Sequence, residues 1–330
     1  MVRAFVAWAR RPVSKAGLLG VLLSVVGAAP QAADTYPSKP IRLVVAFAPG
    51  SASDSVARIV AQELSQRLDQ KVVVENRAGA FGQIAAEYVA RSAPDGYTLF
   101  VTSNTSHAAN PHLYRTLPYD PVKDFEPVVR AGMFPFMLVV TPSLPVNTTA
   151  ELIEYARKNP GKLSYGTTNS TSLVVMETLK RLAKVSIEGV QYKSSPEAIV
   201  DLSAGRLQVM VSDFSTATPQ VKAGKVRALA VTSAKRSPLL PALPPLADTV
   251  PGIDLTGWSG WYLPAKTPKP IVDRIAREML AILERPEIRT RLAEVGFQVD
   301  PLGPEAFARY TRAQIEYWGR LIRAAGIEPQ

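Results

Sequence analysis

Residues 41–68 read IRLVVAFAPGSASDSVARIVAQELSQRL, and this stretch decides the fold. Ile41–Phe47 is a near-continuous apolar run of strand length, as expected of a strand buried on both faces. Ala48 to Asp54 is a loop of small and polar residues. Val56 is then followed by Ile59, Val60, Leu64 and Leu68, three, four, eight and twelve positions on, which makes one helical face. A buried strand, a small-residue loop and an amphipathic helix form the βα unit of a parallel sheet covered by helices.

The alternation continues outward. Val72–Val74 and Tyr97–Val101 read as strands, and Gln83–Ala90 as a helix entered through Gly79 and Gly82. A second series starts at Phe136–Val140. Thr148 with Glu151 fits a capping box, so a helix is predicted over 149–158. Strands follow at 163–165, 188–191, 207–211 and 226–232, with helices at 171–183 and from Pro196 to Gly205. Pro238, Pro241, Pro244, Pro245 and Pro251 mark an irregular segment. Gly257–Leu263 then returns the chain to the first sheet, and helices start near Pro270, Pro286 and Pro304. Two α/β series joined twice predict two lobes with a cleft between them, each lobe a mainly parallel sheet flanked by helices.

Composition narrows the chemistry. The 330 residues include no cysteine, which excludes disulfides, thiolate metal sites and a Cys nucleophile. His107 and His112 are the two histidines, and Pro111 between them breaks helical ligand spacing, so no metal site is expected. The net charge of +10 is spread among acids, as in Arg274, Arg277, Glu278, Glu284, Arg285 and Glu287, which argues against a nucleic-acid stripe. Arg3, Arg10, Arg11 and Lys15 precede the apolar run 16–26 and then small residues, the layout of a secretory signal peptide over 1–33, cleaved near Ala33. An exported, periplasmic, monomeric protein is expected.

In open α/β sheets ligands sit beyond the carboxyl ends of strands. The loops to inspect are therefore 48–54, 102–107, 166–171, 192–195 and 212–215. The first and third precede helices and carry the hydroxyls of Ser51, Ser53, Thr167, Thr168, Ser170 and Thr171. The first N–H groups of a helix lack internal partners, and the helix dipole favours an anion there. Two such ends would hold a carboxylate without an arginine. Four or five charge-assisted hydrogen bonds at roughly 1.5–3 kcal/mol each, less the work of closing the lobes, reach the ~8 kcal/mol of micromolar binding. Asp54 either caps its helix or orders a water or an ammonium group. Lys193 is solvated or meets a ligand carboxylate. Asp213 faces the cleft or caps a turn. Trp258 and Trp261 pack in the core or stack on a ligand. The G-x-S-x-G, P-loop, G-x-G-x-x-G and H-E-x-x-H patterns are missing, and no nucleophile–base pair presents itself, so no enzyme and no cofactor is expected.

At these loops the sequence resembles the Bug family of periplasmic receptors, the solute-binding components of tripartite tricarboxylate-type transporters. The resemblance runs through TYPSKPIRLVVAFAPGSASD at 35–54, VVVENRAGAFG at 72–82, PDGYTLFVTS at 94–103 and NPHLYRTLPYDPVKDFEPV at 110–128. It continues through KLSYGTT at 162–168, DLSAGRLQVMVSDF at 201–214, KVRALAVTSAKRSPLLPALPPLAD at 225–248 and PKPIVDRI at 268–275. It implies a type II Venus flytrap, with a discontinuous first lobe (34–134 and 258–330) and a second lobe (135–257). It also implies a carboxylate held by loop backbone and small polar side chains. Together the two lines of reading give a ligand set of Phe47, Ala48, Gly50, Ser51, Ala52, Ser53, Asp54, Ser103, His107, Gly166, Thr167, Thr168, Asn169, Ser170, Thr171, Tyr192, Lys193 and Asp213. The sequence departs from the family at Gly50-Ser51, where Gly-Gly is usual, in the loop 166–170, usually richer in glycine, and at Ser194, usually Gly. The expected ligand is a dicarboxylate, tricarboxylate, acidic amino acid or small aromatic acid. The expected partners are that ligand and, transiently, inner-membrane transporter subunits; a membrane signalling protein fed by a ligand sensor is the alternative.

Overall fold

The computed structural model describes residues 36–330; the segment 1–33, expected to be a signal peptide, lies outside the described residues. Along the chain the first lobe builds β1 (Ile41–Val45), α1 (Ala52–Leu68), β2 (Val72–Asn76), α2 (Gln83–Ala90) and β3 (Thr98–Ser103). A π-helical turn (Thr105–Ala109) leads into the short α3 (Asn110–Leu113) and then β4 (Phe125–Phe134). The second lobe holds β5 (Phe136–Val140), α4 (Thr149–Lys158), β6 (Ser164–Thr167), α5 (Ser170–Ala183), β7 (Glu188–Gln191), α6 (Ser195–Ser203), β8 (Val209–Asp213), α7 (Phe214–Lys222) and β9 (Arg227–Val231). The chain returns as β10 (Gly257–Pro264), α8 (Lys269–Glu284), α9 (Pro286–Glu294), β11 (Gln298–Leu302) and α10 (Pro304–Ala324).

The six-stranded sheet runs β11-β4-β10-β3-β1-β2 and the five-stranded sheet β7-β6-β8-β5-β9. β1 is parallel to β2 and β3, and β6 to β7 and β8. The sheets are nevertheless mixed rather than mainly parallel, which corrects the expectation. β10 runs antiparallel to β3 and β4, β11 to β4, and β5 to β8 and β9. The cause is the travel between lobes. A parallel neighbour needs a helical crossover back to the same sheet edge. β4 and β5 are instead one extended run broken at Pro135, and β10 comes straight back from the other lobe.

Burial follows from these positions. β10 is buried along its whole length, and Trp258, Trp261 and Tyr262 are core residues. Gly260 makes that possible: a Cβ there would stand 2.7 Å from Phe307, Trp258 and Tyr262. In β5 side chains alternate between faces. Leu138 and Val140 join the main core, while Met137 and Val139 join a second core with Met210, Leu202 and Phe214. On the outer side of the first lobe, the buried Glu63 of α1 accepts from Arg285 at 2.7 Å and Arg291 at 2.9 Å, pinning α9 to α1. These contacts leave the β1–α1 loop and the starts of the second lobe's helices facing one another.

Candidate functional site

Each loop turns into its helix by a defined cap. In the first, Gly50 adopts a left-handed φ of +79°, which glycine tolerates freely. Ser51 is the N-cap of α1, its hydroxyl accepting from the Asp54 N–H at 3.3 Å. Asp54 lies one turn in and reaches back, accepting from the Gly50 N–H at 3.0 Å, Arg58 Nε at 3.0 Å and Asn76 Nδ2 at 2.9 Å. Burial alone would push its carboxyl up; these bonds and the Arg58 charge outweigh it and hold the group below the usual carboxylate range. In the second lobe Asn169 caps α5 in a reciprocal box with Ser172, Ser194 caps α6, and Asp213 caps α7 through the Thr216 N–H at 2.9 Å.

Four helix starts thus converge, α1 from one lobe and α5, α6 and α7 from the other. Between them is a narrow cavity of about 40 Å³, bounded by Phe47, Ser51, Ala52, Ser53, Ser103, Asn104, Thr105, Phe134, Asn169, Thr171, Ser195 and Asp213. Lysine and arginine are not among its lining residues. With no basic side chain in the wall, the helix dipoles and the N–H groups at the helix starts are the features that favour an anion there. Among the described residues the N–H groups of Ala52, Ser53 and Thr171 and the Ser53 hydroxyl find no acceptor or donor in the protein. A carboxylate is the chemistry those donors suit.

Asn104 ties the lobes together beside the cavity. Its Nδ2 donates to Ser170 Oγ and Thr171 Oγ1, both at 3.1 Å, and its Oδ1 accepts from the Trp258 N–H at 3.2 Å. Thr105 Oγ1 lies 3.0 Å from Ser170 Oγ. A second cavity of about 250 Å³ adjoins the first along Phe47. Its walls include Gly79–Gly82, where Ala80 and Phe81 hold left-handed φ of 45° and 50°, and Thr168, Gln191, Tyr192 and Lys193 from the other lobe.

Over residues 56–327 the chain matches the family described as the tripartite tricarboxylate transporter family receptor, TctC. The chain belongs to the TctC receptor family. Three solved structures are similar over nearly their full lengths. Rpa4515 of R. palustris with adipate is 38% identical at a TM-score of 0.87, covering 89% of this chain and 100% of its own. The periplasmic binding protein BugD is 34% identical at 0.85, covering 89% and 100%. MatC of Rhodopseudomonas palustris with bound malate is 31% identical at 0.81, covering 87% and 100%. As a TctC protein this chain is a solute-binding receptor of the periplasmic type, and its two-lobe α/β fold is the family's. Among the described residues no helix is long and apolar enough to cross a membrane.

Within this TctC receptor the expected ligand residues divide. Phe47, Ser51, Ala52, Ser53, Ser103, Asn169, Thr171 and Asp213 line the first cavity; Thr168, Tyr192 and Lys193 line the second. Ala48 and Gly50 shape the turn without lining either. Ser170 is fully buried and spends its hydroxyl on the interlobe bonds, and Thr167 faces a neighbouring groove. Two positions are corrected by their partners. Asp54 is turned away under α1 onto Arg58 and Asn76. Gly166 is strand backbone whose Cβ would meet Leu207 at 2.6 Å. His107 is a third correction. It is fully buried, stacked on Tyr262 at 4.0 Å and edge-on to Phe125 at 4.6 Å. Burial pushes its imidazole down to about 3, so it stays neutral. Asn104, Thr105, Phe134, Ser195 and the segment 79–82 were not anticipated as lining residues. The inspected loops 102–107 and 192–195 contained three of them, and the Gly79–Gly82 spacing was the signal for the last.

Proposed function

We propose that the protein captures a small carboxylated solute between its lobes and presents it to the inner-membrane subunits of a tripartite tricarboxylate-type transporter. One observation carries this reading: four helix starts from two lobes meet at one cavity whose lining holds no basic side chain. Three backbone donors there lack partners. Roughly 1.5–3 kcal/mol for each charge-assisted bond is enough for micromolar affinity once side-chain hydroxyls join. Family relatives whose structures hold adipate and malate support an acid ligand.

The head carboxylate goes to the helix starts. The rest of the solute extends past Phe47 into the second cavity, where the exposed Lys193 stands at the rim to meet a distal acid. The protein binds and releases its solute unchanged. Thermal-shift measurement against adipate, malate, succinate, citrate, aspartate and benzoate, with sugars and a cationic peptide as counter-ligands, tests this. Stabilisation by one or more acids is expected; stabilisation by sugars or the peptide alone contradicts it.

A further inference from the structure

Asp213 is the one charged side chain lining the first cavity, and it is 5% exposed. Thr216 takes one site on each of its oxygens, the N–H at 2.9 Å and the hydroxyl at 3.2 Å, and the Ser195 hydroxyl and the residue's own N–H also favour its ionised form. Ser195 lines the same cavity and its hydroxyl has a second partner in Thr168 at 3.0 Å, so a donor on a ligand can take its place on the carboxylate. Among the described residues no Lys, Arg or His forms an ion pair with it. Asp54, at the equivalent helix start of the other lobe, is the contrast: Arg58 balances its charge and it leaves the cavity wall. The pocket built for an anion therefore carries an uncompensated buried acid of its own. Burial pushes that carboxyl up, in keeping with the lack of a cation.

We propose that Asp213 sets the specificity of the site by accepting a hydrogen bond from an ammonium or hydroxyl group next to the bound carboxylate, so that 2-amino and 2-hydroxy acids are taken in preference to plain acids. This rests on the carboxylate reading above. The cavity is small, so an acid head held at Ser53 and Thr171 also meets Asp213. A bare carboxylate there faces a like charge in a desolvated site, which disfavours it. A donor on the adjacent carbon turns that contact into a charge-assisted bond. An ammonium also supplies the missing positive charge, and a hydroxyl supplies the bond alone.

The test is calorimetric titration of two matched series: succinate, malate and aspartate; adipate, 2-hydroxyadipate and 2-aminoadipate, with the hydroxy and amino members in both enantiomers. Wild-type protein is expected to bind a substituted member at least about tenfold more tightly than its plain parent. The amino and hydroxy arms show which donor is preferred. Asp213→Asn and Asp213→Ser both keep an N-cap residue on α7. Either variant is expected to bring the ratio to within about threefold and to tighten the plain acid. Equal binding of substituted and plain acids by wild type, or a ratio the variants leave unchanged, overturns the role of Asp213 and leaves the acid receptor standing. Failure of every acid to bind overturns both.

Discussion

Two aspartates at two helix starts behave in opposite ways, and the difference is one of partners. Asp54 gains bonds from Gly50, Asn76 and Arg58 on folding. Its folded pKa lies below its unfolded one, so its stabilisation is present above the ordinary carboxylate range and is lost as pH falls through it. Asp54→Ala is expected to destabilise the protein by about 1–2 kcal/mol at pH 7, with the gap in melting temperature from wild type narrowing near pH 3. Asp213 has the reverse sign. Its pKa is raised on folding, so the penalty is absent in acid and appears as pH rises through the carboxylate range. Asp213→Asn, which preserves the cap, is expected to raise the melting temperature at pH 7 and leave it nearly unchanged near pH 3. A group kept at a stability penalty in a cavity wall is what a binding function predicts. Sequence alone could place both aspartates at loop ends but not show which one has a cation beside it. Nor could it show that His107, two positions after the unanticipated Thr105, turns into the aromatic core.

At the scale of elements, the βα units were legible because each signal is local. The run 41–47, the helix face from Val56 to Leu68 and the capping box at Thr148 all translate into β1, α1 and α4. What escaped was set by tertiary contacts. β4 contains Pro127, Arg130 and Gly132 and has no strand signal of its own. It persists because β10 and β11 pair with it on both sides through register shifts, and because Arg130 donates to the Asp300 carbonyl and stacks over Tyr310. α7 was obscured by Pro219 inside it, and the π turn before α3 by Pro111 just after. The cap of α1 moved as well: Ser51, rather than Asp54, accepts the first N–H group. The interlobe link through Asn104 gives the prediction for this scale. Asn104→Ala breaks two bonds to α5 and orphans the Trp258 N–H. It is expected to destabilise by about 1–3 kcal/mol and to enlarge the radius of gyration of the ligand-free protein in small-angle scattering. An unchanged radius would show that the link does not hold the lobes together.

For the whole molecule, two mixed sheets joined through Pro135 and the segment before Gly257 bring helix starts from distant parts of the chain to one cavity. The donors are peptide groups in a partly dry cleft, where salt screens little. Acid affinity is therefore expected to fall by less than about threefold between 50 and 500 mM salt, measured by calorimetry; a steep decline would point to surface lysines instead. The two-lobe plan was readable from the order of strands and helices, whereas the antiparallel travelling strands were not, since strand direction depends on which lobe the chain has just left. The central claim is that backbone amides at opposed helix starts grip the solute's carboxylate. Amide-resolved NMR titration of the uniformly labelled protein with the tightest-binding acid tests it most directly. The N–H signals of Ala52, Ser53 and Thr171 are expected to move downfield together and saturate with the calorimetric affinity. Saturable acid binding that leaves those three signals in place, with shifts confined to Lys193 or another surface, would contradict it.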